Sequence, residues 1–219
     1  MKREVNPEIK VYIEETILPR YKELKGHTDS HIREVIVRSL KFSEQAGDVN
    51  IDMVYVIAAY HDLGRLIDNE THNLESAKML QKDEFLKNHF SAAEIQIMAE
   101  AVEDHRASLG REPRSVYGKI VSSADRNPNL ESMLARAYDY NRLLHPEYTE
   151  AEMIEDVRKV LRKKYTPNGY AAKAMYFDDP DFEHLLVEVE RITRSPEEFY
   201  QIQSEFNRSR RQKSPPKRG

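Results

Sequence analysis

Apolar residues recur at three- and four-residue spacing along most of the chain, and no segment sustains the strict alternation of a half-buried strand. After Asp29, for example, Ile32, Val35 and Ile36 share one side of a helix with this spacing. Similar rows of apolar residues on one side of a helix recur in later segments of the chain. The pattern predicts an all-α protein built as a helical bundle.

Residues that favour helix starts divide this pattern into elements. Asp, Ser, Asn and Thr accept hydrogen bonds from the first backbone N–H groups of a helix, and Pro is tolerated in its first turn. We therefore predict helices that begin at or near Pro7, Asp29, Asn50, Ser91, Ser115, Leu130, Thr149, Pro180 and Pro196. The first is predicted to run to Leu24 with an interruption before Pro19. The stretch 165–179 is predicted to be a mobile loop near a binding pocket.

The length of 219 residues is enough for one sizeable hydrophobic core. We expect a single helical domain over residues 1–206, with a core at about 20–130 and a C-terminal helical extension over 130–206. Residues 207–219 are rich in Arg, Lys, Ser and Pro and contain no acidic residue. Such a segment buries little apolar surface, so we predict a disordered basic tail.

The composition of the chain indicates which class of protein to expect and limits which atoms can bind a metal. Charged residues make up 33% of the chain, no apolar run reaches the length of a membrane helix, and no secretory signal is recognisable before Pro7. We expect a cytoplasmic protein with no membrane partner. The absence of cysteine excludes disulfides and thiolate ligands, so any metal must be bound by nitrogen and oxygen.

Four residues near the ends of predicted helices are candidate metal ligands: His31, His61, Asp62 and Asp125. Each lies one turn from apolar residues of its own helix, which places it on the inward side. Two imidazoles and two carboxylates suit Mn²⁺, Fe²⁺, Mg²⁺ or Zn²⁺. A metal of this kind can activate water.

The sequences around these residues are GHTDSH at 26–31, AAYHDLG at 58–64 and SADR at 123–126. Their order, His, then His-Asp, then Asp, resembles the HD superfamily of metal-dependent phosphohydrolases and is most similar to its small bacterial hydrolases. The resemblance spans about residues 20–130. Many relatives have an acidic residue where this chain has Ser123.

The resemblance implies that His31, His61, Asp62 and Asp125 hold the metal and that Asp62 also orients the attacking water. His27 is expected to contact the ligands rather than the metal. The implied reaction is hydrolysis of a phosphoester or phosphoanhydride of a small molecule, for which we expect a nucleotide.

Two further histidines, His72 and His105, resemble the intermediate histidines of many HD proteins. They can protonate a leaving oxygen, neutralise a phosphate or bind a second metal, and we favour the catalytic roles on the substrate side. Arg65 and Arg126 directly follow the second and third motifs, and we predict that they bind phosphate. A solvated loop cation is an equally good interpretation of Arg65.

Several alternatives stay open. If His72 and His105 complete a second metal site, a di-iron oxygenase becomes possible, so one or two ions are expected. A non-catalytic nucleotide-sensing module is a third hypothesis. We expect no nucleic-acid partner apart from contacts of the basic tail. The helices after Leu130 close the pocket or form a homodimer surface.

Overall fold

The computed structural model describes residues 4–24 and 29–213, and within these ranges it contains twelve α-helices and no β-strand. The predicted all-α class is confirmed. None of the described helices is long and apolar enough to cross a membrane. His27 lies outside the described residues.

The chain divides into two compact units. Met1–Asn127 and Lys173–Asp178 form the first, and Pro128–Ala172 and Asp179–Gly219 form the second. The first break lies close to residue 130, where the sequence predicts the start of an extension. The division differs from the expected single domain because the helices after Pro128 pack on one another around apolar residues of their own.

The first unit is organised around a fully buried helix. Its helices are α1 (Pro7–Tyr12), α2 (Asp29–Ala46), α3 (Ile51–Tyr60), α4 (His72–Lys82), α5 (Glu84–His89), α6 (Ala92–Glu103) and α7 (Val116–Ala124). Every residue from Met53 to Tyr60 of α3 is buried. Helices α2, α6 and α7 pack against α3, and α4 packs against α6. The apolar stripe predicted on α2 is buried as expected.

The segment after α1 changes helix type next to Pro19, where the sequence predicts an interruption. It continues as a π-helical turn over Ile13–Ile17 and then as a 3-10 helix over Leu18–Glu23. Pro19 lies in the first turn of the 3-10 helix. Because proline has no backbone N–H, it favours the change of helix type at this point.

The predicted caps at several helix starts are confirmed. The side chain of Asn50 accepts a hydrogen bond from the backbone N–H of Asp52, 3.0 Å away. Ser91 and Glu94 form both halves of a capping box at the start of α6, and the Thr149 box at the start of α9 is also complete. These interactions are local, which is why the sequence alone predicts them.

Helices α4 and α5 were not predicted. Helix α4 begins at His72 without a side-chain cap, and it packs on the 3-10 turn Leu63–Leu66 and on α6. Asp83 separates the two helices and caps α5. Tertiary packing therefore stabilises α4, because the side chain of its N-cap residue, Thr71, makes no capping hydrogen bond.

The helices after Pro128 are α8 (Leu130–Leu144), α9 (Glu150–Lys164), α10 (Tyr170–Lys173), α11 (Pro180–Ile192) and α12 (Pro196–Lys213). Helix α12 includes residues 207–213, so the prediction of disorder is wrong for this part of the tail. Within α12, Gln203 donates a buried hydrogen bond to Asn207, and Arg210 pairs with Asp139 of α8. Residues 214–219 lie outside the described part of the chain.

The predicted loop 165–179 ends in a segment that belongs to the first unit. The backbone N–H of Tyr176 donates to the hydroxyl of Ser123 at 3.0 Å. The side chain of Gln45 donates to the carbonyl of Asp178 and accepts from its N–H, both at 3.0 Å. Ser123, the position that differs from many HD relatives, therefore anchors this segment.

Candidate metal centre

The end of α3 places a histidine and a carboxylate inside the first unit. His61 is 0% exposed and Asp62 is 2% exposed. The hydroxyl of Tyr21 donates to the carbonyl of Ala59 at 2.8 Å. Since the last carbonyls of a helix lack intrahelical partners, this hydrogen bond fixes the turn that carries His61 and Asp62.

Gly64 allows α4 to approach this turn. Its N–H donates to the hydroxyl of Ser76 at 2.7 Å. A Cβ atom at position 64 would lie 2.2 Å from the carbonyl oxygen of His72 and 2.5 Å from the backbone nitrogen of Ser76. No side chain fits between these backbone atoms, so glycine at this position lets His72 reach Asp62.

A first group of candidate ligands joins α2, α3 and the end of α7. His31, His61 and Asp62 offer ligand atoms that all lie within 4.8 Å of one another. Oδ1 of Asp125 lies 3.3 Å from Nε2 of His31 and 3.8 Å from Nε2 of His61. The four ligands implied by the motifs therefore meet at one place.

A second group joins Asp62 to α4 and the end of α6. Oδ1 of Asp62 lies 3.2 Å from Nε2 of His72 and 3.6 Å from Nε2 of His105. The two Nε2 atoms are 3.3 Å apart. These three residues also offer ligand atoms within 4.8 Å of one another, so Asp62 is common to both groups.

Backbone hydrogen bonds set the proton positions on three histidines. The Nδ1 atoms of His61, His72 and His105 lie 2.8, 2.8 and 2.6 Å from the carbonyl oxygen three residues earlier. A carbonyl oxygen only accepts, so each Nδ1 carries the proton, and the lone pair of a neutral ring is on Nε2. All three Nε2 atoms face Asp62 or Asp125.

This donor set fits a divalent cation. Nε2 of the fully buried His61 has no hydrogen-bond partner among the described residues. When both rings are neutral, the Nε2 lone pairs of His72 and His105 face each other and a carboxylate, an arrangement that is repulsive without a positive charge between them. A metal ion bound by Nε2, with Nδ1–H donated to a carbonyl, is the usual arrangement for histidine ligands.

The protonation states of the buried histidines agree with a ligand role. Burial lowers the pKa of His61 and of His72 to about 4, although the charge of Asp62 acts in the opposite direction. Both rings are therefore neutral at neutral pH, as a metal ligand requires.

The two carboxylates stay ionised. Burial alone would raise the pKa of Asp62, but His61 and other neighbours outweigh burial and hold the pKa well below its ordinary value. Burial likewise opposes ionisation of Asp125, but a hydrogen bond from His31 and the charge of Arg126 keep the pKa of this carboxyl low.

Arg65 lies at the partly exposed side of the centre. Its Nε is 2.9 Å from Oδ2 of Asp62, its guanidinium also bonds the side chain of Asn69, and 19% of its side chain is exposed. The predicted contact with phosphate is compatible with this position. The alternative of a solvated loop cation is not, because Arg65 pairs with a buried carboxylate.

Arg126 is buried beside Asp125. Its side chain is 2% exposed, Nη1 donates to Oδ2 of Asp125 at 2.8 Å, and Nη2 donates to the carbonyl of His105 at 3.2 Å. The guanidinium thus holds the Asp125 carboxylate with Oδ1 toward His31. This geometry favours a role of Arg126 in positioning Asp125, and the contact with phosphate stays a prediction.

Sequence reasoning missed other residues that hold the ligands in place. Asp104 is 1% exposed and accepts hydrogen bonds from Arg111 and Arg114, which fixes the chain next to His105. In the sequence, the only indication of this role is that Asp104 is an acidic residue between the apolar helix α6 and His105.

The structure brings together all the predicted site residues: His31, His61, Asp62, Arg65, His72, His105, Asp125 and Arg126. They come from α2, α3, α4, α6, α7 and the turns that follow these helices. The role of each in binding or catalysis stays a prediction.

Comparison with known proteins agrees with the motifs. Searches of curated proteins and of solved structures returned no match. Residues 28–129, which carry all the candidate ligands, match the family model described as HD domain. The predicted recognition is confirmed over these residues: they are similar to the HD domain, a match that is consistent with an HD superfamily metal-dependent phosphohydrolase.

Proposed function

We propose that this protein is a metal-dependent phosphohydrolase that cleaves a phosphoester or phosphoanhydride of a small molecule, with nucleotides as the expected substrate class. The observation that carries the proposal is the convergence of Nε2 atoms from His61, His72 and His105 on Asp62. Lone pairs and a carboxylate in this arrangement favour a bound cation.

The geometry supports two ions over one. Oδ1 of Asp62 faces His72 and His105, whereas Oδ2 faces His61. We therefore assign His31, His61 and Asp125 to one ion, His72 and His105 to the other, and Asp62 to both. Mn²⁺, Fe²⁺, Mg²⁺ and Zn²⁺ all accept these donors.

This assignment changes the preference drawn from the sequence for His72 and His105. A neutral ring that donates through Nδ1 to a carbonyl has no proton on Nε2 to give to a leaving group. We therefore favour ligation for both histidines over general-acid catalysis.

The remaining residues suit phosphoryl chemistry. A divalent ion in this centre would lower the pKa of a bound water and withdraw charge from a phosphoryl oxygen. The Asp62 carboxylate lies where it can orient a water hydrogen bond. Arg65 can bind a phosphoryl oxygen through its partly exposed guanidinium, and a fork of N–H donors suits this task.

The di-iron oxygenase is the second candidate, because the same second ligand group would hold a second iron. It predicts two irons per chain and consumption of oxygen with an organic substrate. The phosphohydrolase predicts release of phosphate or pyrophosphate without oxygen.

The experiment begins with anaerobic purification and analysis of bound metal. A panel of nucleotides is then assayed with Mn²⁺ and with Mg²⁺ for phosphate and pyrophosphate release. His61→Ala should abolish turnover, whereas His184→Ala, an exposed histidine of α11, should not change it. Two irons with oxygen consumption and no hydrolysis would replace the proposal with the oxygenase. Tight nucleotide binding by the metal-loaded protein without turnover would favour the sensing module.

A further inference from the structure

Arg38 is a buried arginine on the helix that carries His31. It is 8% exposed and lies two helical turns after His31, so both side chains share one face of α2. Its guanidinium also lies over the ring of Phe42, 5.2 Å from the ring centroid. A buried arginine is costly unless its donors are used.

The donors of Arg38 are directed at the backbone on both sides of Asp125. Nε donates to the carbonyl of Ala124 at 3.1 Å, and Nη2 donates to the carbonyl of Arg126 at 2.9 Å. Helix α7 ends at Ala124, so these carbonyls belong to a helix end that lacks intrahelical partners. The positive charge at a helix C-terminus adds a favourable interaction with the helix dipole.

These contacts link the two helices that carry His31 and Asp125, two candidate ligands of the first group. Arg38 joins α2 to the end of α7, and His31 of α2 faces Asp125 of α7 at 3.3 Å. The rigid planar fork of a guanidinium suits two carbonyls that flank one residue, whereas the compact ammonium of lysine has no such fixed fork. An apolar side chain would fill the same space beside Phe42 but would leave both carbonyls without this donor.

We propose that Arg38 is a positioning residue that sets the separation of His31 and Asp125 and thereby tunes the first metal group more strongly than the second. The role rests on the proposed function, which assigns His31 and Asp125 to a metal. The link from Arg38 to the second group, Asp62, His72 and His105, is less direct: it runs through Arg126, whose Nη2 donates to the carbonyl of His105.

The test is Mn²⁺ binding by the full-length protein, measured by calorimetric titration and by counting bound ions. Arg38→Met should weaken one equivalent about 10- to 100-fold, as loss of a residue that orients a ligand typically does, and weaken the other much less. Arg38→Lys should weaken the same equivalent less, because one amine restores one of the two contacts. Arg33→Met, on the same helix and paired with Glu14 at 2.7 Å, is the matched control and should bind as the wild type does.

A second measurement separates positioning from general destabilisation. In a His31→Ala background, Arg38→Lys should cause no further loss of Mn²⁺ affinity, whereas in a His105→Ala background it should weaken the remaining equivalent. Circular dichroism checks that each variant is folded, and Arg38→Lys carries the test if Arg38→Met does not fold.

Equal weakening of both equivalents, or no weakening in folded Arg38→Lys and Arg38→Met proteins, would overturn the role of Arg38 alone. Wild-type protein that binds no Mn²⁺ would overturn the proposed function and this role with it.

Discussion

Asp62 is the residue on which both ligand groups depend. It is buried, its Oδ1 lies closer to His72 and His105, and its Oδ2 pairs with Arg65. A carboxylate shared between two cations contributes to the affinity of each. A terminal ligand contributes to only one.

Asp62→Asn should therefore weaken both metal equivalents by more than about 100-fold, beyond the usual effect of a residue that only orients ligands. His72→Ala should weaken one. Both variants should keep the helical fold by circular dichroism. The number of ions bound per chain after equilibration with Mn²⁺ distinguishes weakening of both equivalents from weakening of one. Loss of a single equivalent in both variants would show that Asp62 is not shared.

Arg65 competes with a metal for Asp62. Its guanidinium holds Oδ2 at 2.9 Å, and hydrogen bonds to charged groups are among the stronger ones in proteins. A cation at the same oxygen must displace Arg65 or bind beside its positive charge. After displacement, the guanidinium is available to the phosphate of a substrate.

Arg65→Ala should accordingly bind Mn²⁺ about tenfold more tightly, while the loaded protein binds inorganic phosphate at least about tenfold more weakly. Calorimetric titration measures both constants. Lys78→Ala removes the same charge from an exposed pair with Glu75 and should change neither. Weaker Mn²⁺ binding by Arg65→Ala would contradict the competition.

At the scale of elements, the end of α3 is held by contacts from other helices. Tyr60 and Tyr12 both donate to Oδ2 of Asp83 at 2.6 Å, and Oδ1 of Asp83 caps α5. The two hydrogen bonds are equal in length and share an acceptor, but only Tyr60 is next to His61.

Tyr60→Phe and Tyr12→Phe should each lower the free energy of unfolding by about 1.5–3 kcal/mol, the usual range for a hydrogen bond to a charged group. Only Tyr60→Phe should also lower Mn²⁺ affinity, because it loosens the turn that carries His61. Urea unfolding and metal titration measure the two effects. If Tyr60→Phe and Tyr12→Phe changed Mn²⁺ affinity equally, the cause would be the lost hydrogen bond to Asp83 and not a looser end of α3.

At the scale of the whole molecule, all the candidate ligands lie in the first unit. A ligand that binds only the folded state stabilises the elements that hold it. Hydrogen exchange should therefore slow in α2, α3, α6 and α7 when Mn²⁺ is added. Helices α8, α9 and α12 should keep the exchange rates of the metal-free protein. Slower exchange in all helices would show that the two units are energetically coupled.

The sequence by itself determined the helical class, the capped helix starts and which residues to consider as the first group of candidate ligands. Each depends on information within a few residues: apolar spacing, a cap such as Ser91 with Glu94, or a short motif such as His61-Asp62. Local hydrogen bonds and periodicity act on the chain before it folds, so they can be recognised without the fold.

Only the tertiary structure decided how distant residues meet. Helix α4 begins without a side-chain capping hydrogen bond, and its packing beside Gly64 and α6 brings His72 to His105, 33 positions away in the chain. The direction of Arg126 depends likewise on the carbonyl of His105. Side-chain direction and long-range packing come from the mutual burial of several helices, which no short segment of sequence specifies.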